Sequence, residues 1–125
     1  MKQTRKRRIL IVDDSKMNRE ILTGILEDEY DIVEAEDGKK AIEIMEEGLY
    51  SFSIVLLDIT MPGMSGLEVL EEIRKKDPAA KVIMCSAMGQ EQMITNALML
   101  GASDFIVKPF KADEFMKVVE YTLSS

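Results

Sequence analysis

The residues with chemical potential stand one by one behind short apolar runs. Asp58 closes the run Ile54-Val55-Leu56-Leu57 and precedes Ile59-Thr60-Met61-Pro62-Gly63. Asp13 and Asp14 close Ile9-Leu10-Ile11-Val12, Ser86 follows Val82-Ile83-Met84-Cys85, and Lys108 follows Phe105-Ile106-Val107. A carboxylate in such a place can ligate a metal, act as a nucleophile, or simply cap the next turn. Taken singly, each residue has a plain structural reading. Asp13-Asp14 can be a helix cap, Ser86 a turn residue, and Lys108 a surface lysine whose stem covers apolar ground.

What turns single residues into a site is the element that carries each. The apolar runs are short, β-branched and bounded by turn residues, as buried parallel strands are. Between them apolar residues recur at helical spacing. The first helix carries Met17, Ile21, Leu22, Ile25 and Leu26, with Asp14 or Ser15 as its cap. Asp31–Ala35 is the second strand, and Asp37-Gly38 turns it into a helix bearing Ala41, Ile42, Ile44 and Met45. Ser65 and Glu68 form a capping box ahead of an inward face of Leu67, Val69, Leu70 and Ile73, and the helix stops at Lys75, Lys76 and Pro78. Lys81–Cys85 is the fourth strand. Gln90–Leu100 is a helix with Ile94, Ala97 and Leu98 inward, closed by Gly101. Asp104–Val107 is the fifth strand, and the last helix, Lys111–Leu123, puts Phe115, Val118, Val119 and Leu123 on one stripe.

Five strands alternating with five helices specify an α/β fold, a doubly wound parallel sheet with helices on both faces. In such a sheet all strands end on one edge, so Asp13, Asp14, Asp58, Ser86 and Lys108 must converge there. Crowded carboxylates repel, and a hard divalent cation relieves that repulsion. All-oxygen ligands with no histidine in the chain favour Mg²⁺, with Mn²⁺ able to replace it. A carboxylate between such a cation and an ammonium is placed to accept a phosphoryl group. Asp58 would then be the nucleophile and the Ser86 hydroxyl a donor to a phosphoryl oxygen.

Composition narrows the alternatives. The chain has 125 residues, enough for one domain with its own core. No apolar run approaches the roughly 18 residues of a membrane helix, and the charged N-terminus is no secretory signal, so a cytoplasmic location is expected. The absence of histidine removes Ser-His and Cys-His catalysis. Cys85 is the single cysteine, read as a buried, inert thiol. Net charge is −7, yet Lys2, Arg5, Lys6, Arg7 and Arg8 crowd the first eight residues, and the remainder holds 23 acidic against 11 basic residues. An acidic body argues against nucleic acid as a direct ligand, and residues 1–7 are read as a solvated basic leader. Met88, Met93, Met99 and Met116 are read as filling gaps in the core.

Together the pair in Ile11-Val12-Asp13-Asp14, the block Leu57–Gly66, Ser86-Ala87 and the stretch Gly101–Phe110 resemble the receiver domain of bacterial two-component response regulators (CheY-like), across essentially the whole of residues 1–125. The resemblance implies a flavodoxin-like strand order, 2-1-3-4-5, which is that of the chemotaxis receivers. It also implies roles. Asp58 matches the phosphoacceptor, Asp13 and Asp14 the metal ligands, together with Asp58 and the Thr60 backbone carbonyl. Ser86 matches the switch hydroxyl, Phe105 the switch aromatic that turns inward on activation, and Lys108 the invariant lysine. The Lys108-Pro109 bond is usually cis in the family, and Thr60 and Met88 stand where phosphoryl lifetime is tuned.

The implied partners are a sensor histidine kinase or histidine phosphotransfer domain, docking on the first helix around Met17 and Asn18, and a downstream protein or output domain that reads the face of helix 4, strand 5 and helix 5. No membrane contact is implied, and the state is a monomer or a phosphorylation-dependent dimer. The segment after Cys85 is similar to single-domain chemotaxis receivers. Asp14–Glu20 is similar to receivers joined to output domains or kinases, so a fragment of a multidomain regulator or hybrid kinase stays open. An aspartyl-nucleophile phosphatase needs an acid two residues after Asp58, where Thr60 stands. A flavin module needs a hydroxyl-rich phosphate loop where Asp13-Asp14 stand. Partner binding without phosphorylation leaves the five polar residues unexplained.

Overall fold

Ile54–Asp58 (β3) is buried at every position, so its neighbours must cover it on both faces and both edges. The computed structural model describes residues 6–48 and 51–125. β3 lies at the centre of a five-stranded parallel sheet. Its companions are β1 (Arg7–Val12), β2 (Tyr30–Ala35), β4 (Val82–Ser86) and β5 (Asp104–Val107). The order is β2-β1-β3-β4-β5. The helices are α1 (Lys16–Leu26), α2 (Gly38–Glu47), α3 (Gly66–Lys76), α4 (Glu91–Met99) and α5 (Ala112–Ser124).

Strand residues alternate between two cores, as the two-residue period requires. Leu10, Val12, Val55, Leu57, Val82 and Met84 meet α2, α3 and α4 through Ala41, Ile44, Val69, Leu70, Ile73, Ile94 and Ala97. Ile9, Ile11, Ile54, Leu56, Ile83, Cys85 and Ile106 meet α1 and α5 through Leu22, Leu26, Phe115 and Val119. The sheet is thus covered on both faces, and its carboxyl edge stays open for chemistry.

The helix starts follow the sequence signals. Ser15, rather than Asp14, caps α1 and accepts from the Asn18 amide at 3.2 Å. Asp37 caps α2, and Ser65 and Glu68 form the reciprocal box at α3. α4 closes with the amides of Gly101 and Ala102 donating to Leu98 and Ala97, the paired bonds of a Schellman motif.

Several expectations are corrected. Arg7 belongs to β1 rather than to the leader, and the strand runs through Arg8, because their backbones pair with Tyr30 and Asp31. Residues 1–5 of that leader lie outside the described residues. Leu98 faces outward at 42% exposure, and Met17 and Ile21 are 68% and 51% exposed, so helical spacing overstates how much of α1 and α4 the core covers. Of Met88, Met93, Met99 and Met116, the first three are exposed and only Met116 packs against a core, so gap-filling holds for one of the four. Cys85 is buried, and burial pushes its thiol up to about 12, which keeps it protonated and unreactive. Among the described residues, no helix is long and apolar enough to cross a membrane.

Candidate functional site at the carboxyl edge of the sheet

Asp13 is positioned from three sides. Its amide continues the ladder to the Ala35 carbonyl at 3.2 Å. Its Oδ1 accepts from the Ser15 amide at 2.9 Å, and its carbonyl accepts from Arg19 Nη1 at 2.7 Å. Arg19 is itself oriented by Glu34, with Nε donating to Oε1 at 2.9 Å. Sequence reasoning misses Arg19, since nothing in the chain order places Glu34 beside α1. Asp13 is consequently buried, with one carboxylate oxygen aimed along the edge.

Asp58 is the last residue of β3 and is 8% exposed. Carboxylate oxygens of Asp13, Asp14 and Asp58 lie within 4.8 Å of one another. Asp14 is exposed and gives the cluster its solvent side. The Asp58 carboxyl is held above its ordinary range. Burial is the largest cause, the Lys108 ammonium opposes it, and the charges of Asp13 and Asp14 add to it. Three carboxylate oxygen donors gathered this closely fit a hard divalent cation, and the set contains no nitrogen or sulfur ligand.

Lys108 supplies the opposing charge. Its Nζ lies 3.3 Å from Asp13 Oδ2 and 3.3 Å from Asp58 Oδ1. Burial works against its charge, but the two carboxylates outweigh that and hold the ammonium above its usual value. The Lys108-Pro109 bond is cis. The Lys108 amide donates to the Ser86 carbonyl at 2.7 Å, which ties the ends of β4 and β5 together. Ser86 is fully buried, and its hydroxyl has no hydrogen-bond partner among the described residues. A buried donor left open beside a carboxylate centre is an unused place for an anionic oxygen.

The remaining candidates stand further out. Thr60 is exposed, and its hydroxyl accepts from Gln90 rather than meeting the carboxylates. Phe105 is 36% exposed and lines a groove with Met88, Ile94, Leu98 and Val107. A second groove borders Lys108 on the α1 side, lined by Asn18, Ile21, Leu22, Pro109 and Phe110. The structure therefore brings Asp13, Asp14, Asp58 and Lys108 into one cluster, sets Ser86 against its edge, and leaves Phe105 and Met88 in a separate groove.

Comparison with known proteins agrees with this arrangement. The response regulator receiver domain profile matches residues 9–120. The chemotaxis protein CheY of Listeria monocytogenes is 50% identical over 115 residues, which is 90% of this chain and 95% of that protein. The structure of NtrX from Brucella abortus in complex with ADP superimposes with a TM-score of 0.89 at 36% identity. That match covers 95% of this chain and 27% of NtrX. CheY in the CheX-CheY-BeF3-Mg complex of Borrelia burgdorferi gives a TM-score of 0.86 at 38% identity, covering 92% of this chain and 87% of that one. The profile match, the Listeria relative and the carboxylate edge converge on one conclusion: this chain belongs to the response regulator receiver domain family.

Proposed function

We propose that the chain is a phosphorylation-driven signalling switch with Asp58 as phosphoacceptor. The observation that carries it is the Lys108 ammonium, 3.3 Å from both Asp13 and Asp58 on an edge that also holds the open Ser86 hydroxyl. A phosphohistidine on a histidine kinase or phosphotransfer domain is the donor class. An Asp58 carboxylate oxygen attacks phosphorus, the O–P bond forms as the N–P bond breaks, and the leaving imidazole nitrogen keeps the electron pair and takes a proton. Asp13, Asp14, Asp58 and the Thr60 backbone carbonyl would hold Mg²⁺, or Mn²⁺. When bound, the cation supplies neutralisation of phosphoryl oxygens, and the Borrelia relative, solved with BeF3 and Mg²⁺, supports that choice. Lys108 stabilises a second oxygen through its ammonium, and the Ser86 hydroxyl donates to a third.

The α1 groove around Asn18 and Ile21 opens beside Lys108 and suits the docking of the donor domain. The exposed apolar residues Met88, Met93, Leu98, Met99 and Phe105 suit a downstream protein or output domain. Drawing Ser86 toward a phosphoryl group would let Phe105 turn inward and alter this face. Thr60 and Met88, exposed on the loops that follow β3 and β4, would tune the lifetime of the acyl phosphate. Since the relatives include both CheY and the longer NtrX, the output class follows from the partner rather than from the site. The protein would act in the cytoplasm.

The test is intact mass after incubation with Mg²⁺ and acetyl phosphate. One added phosphoryl group is expected, absent from Asp58→Asn and absent after chelation. Addition that persists in Asp58→Asn would refute Asp58 as the acceptor.

A further inference from the structure

Gln90 joins the two loops that border Asp58. Its Oε1 accepts from the Ala87 amide at 2.7 Å, and its Nε2 donates to the Thr60 hydroxyl at 2.6 Å. Ala87 follows Ser86, and Thr60 stands two residues after Asp58. β3 and β4 pair with Asp58 opposite Cys85, and the Ile59 amide donates to the Cys85 carbonyl at 3.1 Å. The backbone just beyond each strand is therefore side by side, and the Gln90 side chain spans it as a strap. Gly89, at φ +88, lets the chain fold back so that Gln90 lies over Ala87; residues with a Cβ rarely take that conformation. Gln90 stands at the N-cap position of α4 yet makes no side-chain capping bond there, so its amide is committed to the strap.

We infer that this strap is a latch that opposes phosphorylation, with the Gln90 side-chain carbonyl occupying the Ala87 amide that a phosphoryl oxygen would otherwise take. The inference rests on Asp58 being the acceptor, as proposed above. The Ala87 amide has one hydrogen. It is the first backbone donor past β4 and lies next to the unpartnered Ser86 hydroxyl. A phosphoryl group on Asp58 brings anionic oxygens to this edge, and a charge-assisted bond is roughly twice as strong as a neutral one. The neutral Gln90 carbonyl and the phosphoryl oxygens compete for the same donor. When the anion wins, Gln90 also leaves Thr60, and the loop carrying Met88 into α4 is freed. A bond made in one state and lost in the other biases the equilibrium between them.

Gln90→Met keeps the length of the side chain and removes both bonds. In metal-free protein, its Ala87 amide proton should shift and exchange faster with water, which reads the strap with no ligand present. With Mg²⁺ and beryllofluoride, an acyl phosphate mimic, Gln90→Met should bind about two- to tenfold more tightly than the parent. Thr60→Val should bind more tightly by a smaller factor, and the double variant should match Gln90→Met alone, because both changes cut one strap. Unchanged or weaker beryllofluoride binding by Gln90→Met, or additive effects in the double variant, would overturn the latch. A parent protein that fails to bind beryllofluoride would instead overturn the phosphoacceptor reading.

Discussion

Lys108 Nζ sits at equal distance, 3.3 Å, from one oxygen of Asp13 and one of Asp58. β1 and β3 are adjacent and β5 is two strands away from β3, so the lysine stem reaches across the end of β4 to place its charge. This gives the ammonium two duties: it offsets the charge of two buried carboxylates, and it leaves a positive centre where phosphoryl oxygens would arrive. Lys108→Met keeps the stem and removes the charge. Phosphoryl transfer from acetyl phosphate should fall about a hundredfold, the scale of losing one preorganised charge donor. Metal-free protein should unfold at lower denaturant, since buried carboxylates lose their counter-charge. Mg²⁺ should restore much of that loss, and Mg²⁺ affinity should be equal to the parent or tighter. Titration calorimetry and urea unfolding with and without Mg²⁺ check both points.

Asp58→Asn should stabilise the metal-free protein at neutral pH. The Asp58 carboxyl is raised above its ordinary value of 3.8, chiefly by burial and then by Asp13 and Asp14, against the pull of Lys108. The folded state therefore holds the proton more tightly than the unfolded chain does. Stability falls as pH rises from 3.8 through the raised value, and the deficit is complete above it. Asparagine removes that titration, while Lys108 keeps Asp13 as its partner. The expected result is a higher thermal midpoint for Asp58→Asn at pH 7, with the advantage over the parent shrinking as pH is lowered toward 3.8. Equal midpoints at every pH would show that the site stores no such strain.

Ser86→Ala should separate stability from function. The hydroxyl is fully buried and makes no hydrogen bond among the described residues, so its removal takes away an unpaired polar group. Unfolding free energy should change by less than about 0.5 kcal/mol, or rise. Leu56→Ala, in the core between the sheet and α1 and α5, should by contrast cost about 2–5 kcal/mol. The Ser86→Ala protein should nonetheless hold its phosphoryl group less well, read by the fraction phosphorylated at steady state.

How far the chain order reveals the site depends on what kind of contact is involved. The apolar runs of β1, β3, β4 and β5 are bounded by turn residues, and parallel pairing then forces Asp13, Asp58, Ser86 and Lys108 onto one edge. That step needs only the period of the pattern and the handedness of crossovers. Leu98, Met17 and Ile21 defeat the same reasoning, because helical spacing marks an apolar stripe without saying whether this chain or another covers it. The start of β1 escapes it because Arg7 and Arg8 interrupt the apolar run, although their backbones pair. Arg19 and Gln90 escape it for a different reason. Each joins groups distant in sequence, Asp13 with Glu34 and Ala87 with Thr60, and no local pattern reports such a meeting.

Gly66→Ala tests whether the site depends on a single close approach of backbone to backbone. Gly66 opens α3, and its amide donates to the Ile59 carbonyl at 2.7 Å. A Cβ placed there would overlap the Asp58 carbonyl oxygen and lie 2.7 Å from Ile59 Cα. Both are main-chain atoms and cannot swing aside as a flexible side chain would. The extra methyl must push α3 away from the end of β3, or push Asp58 itself. Overpacking of this kind costs about 1–3 kcal/mol, and the displaced backbone is the one that sets the Asp58 carboxylate against Asp13 and Lys108. The variant should lose about 2 kcal/mol or more of stability, and its Mg²⁺ affinity should fall in parallel. Gly24→Ala is the control, since a Cβ there meets nothing within 4 Å and α1 should accept it or gain from it. If Gly66→Ala unfolds at the parent's midpoint and binds Mg²⁺ as the parent does, the junction between β3 and α3 has slack that the close packing denies.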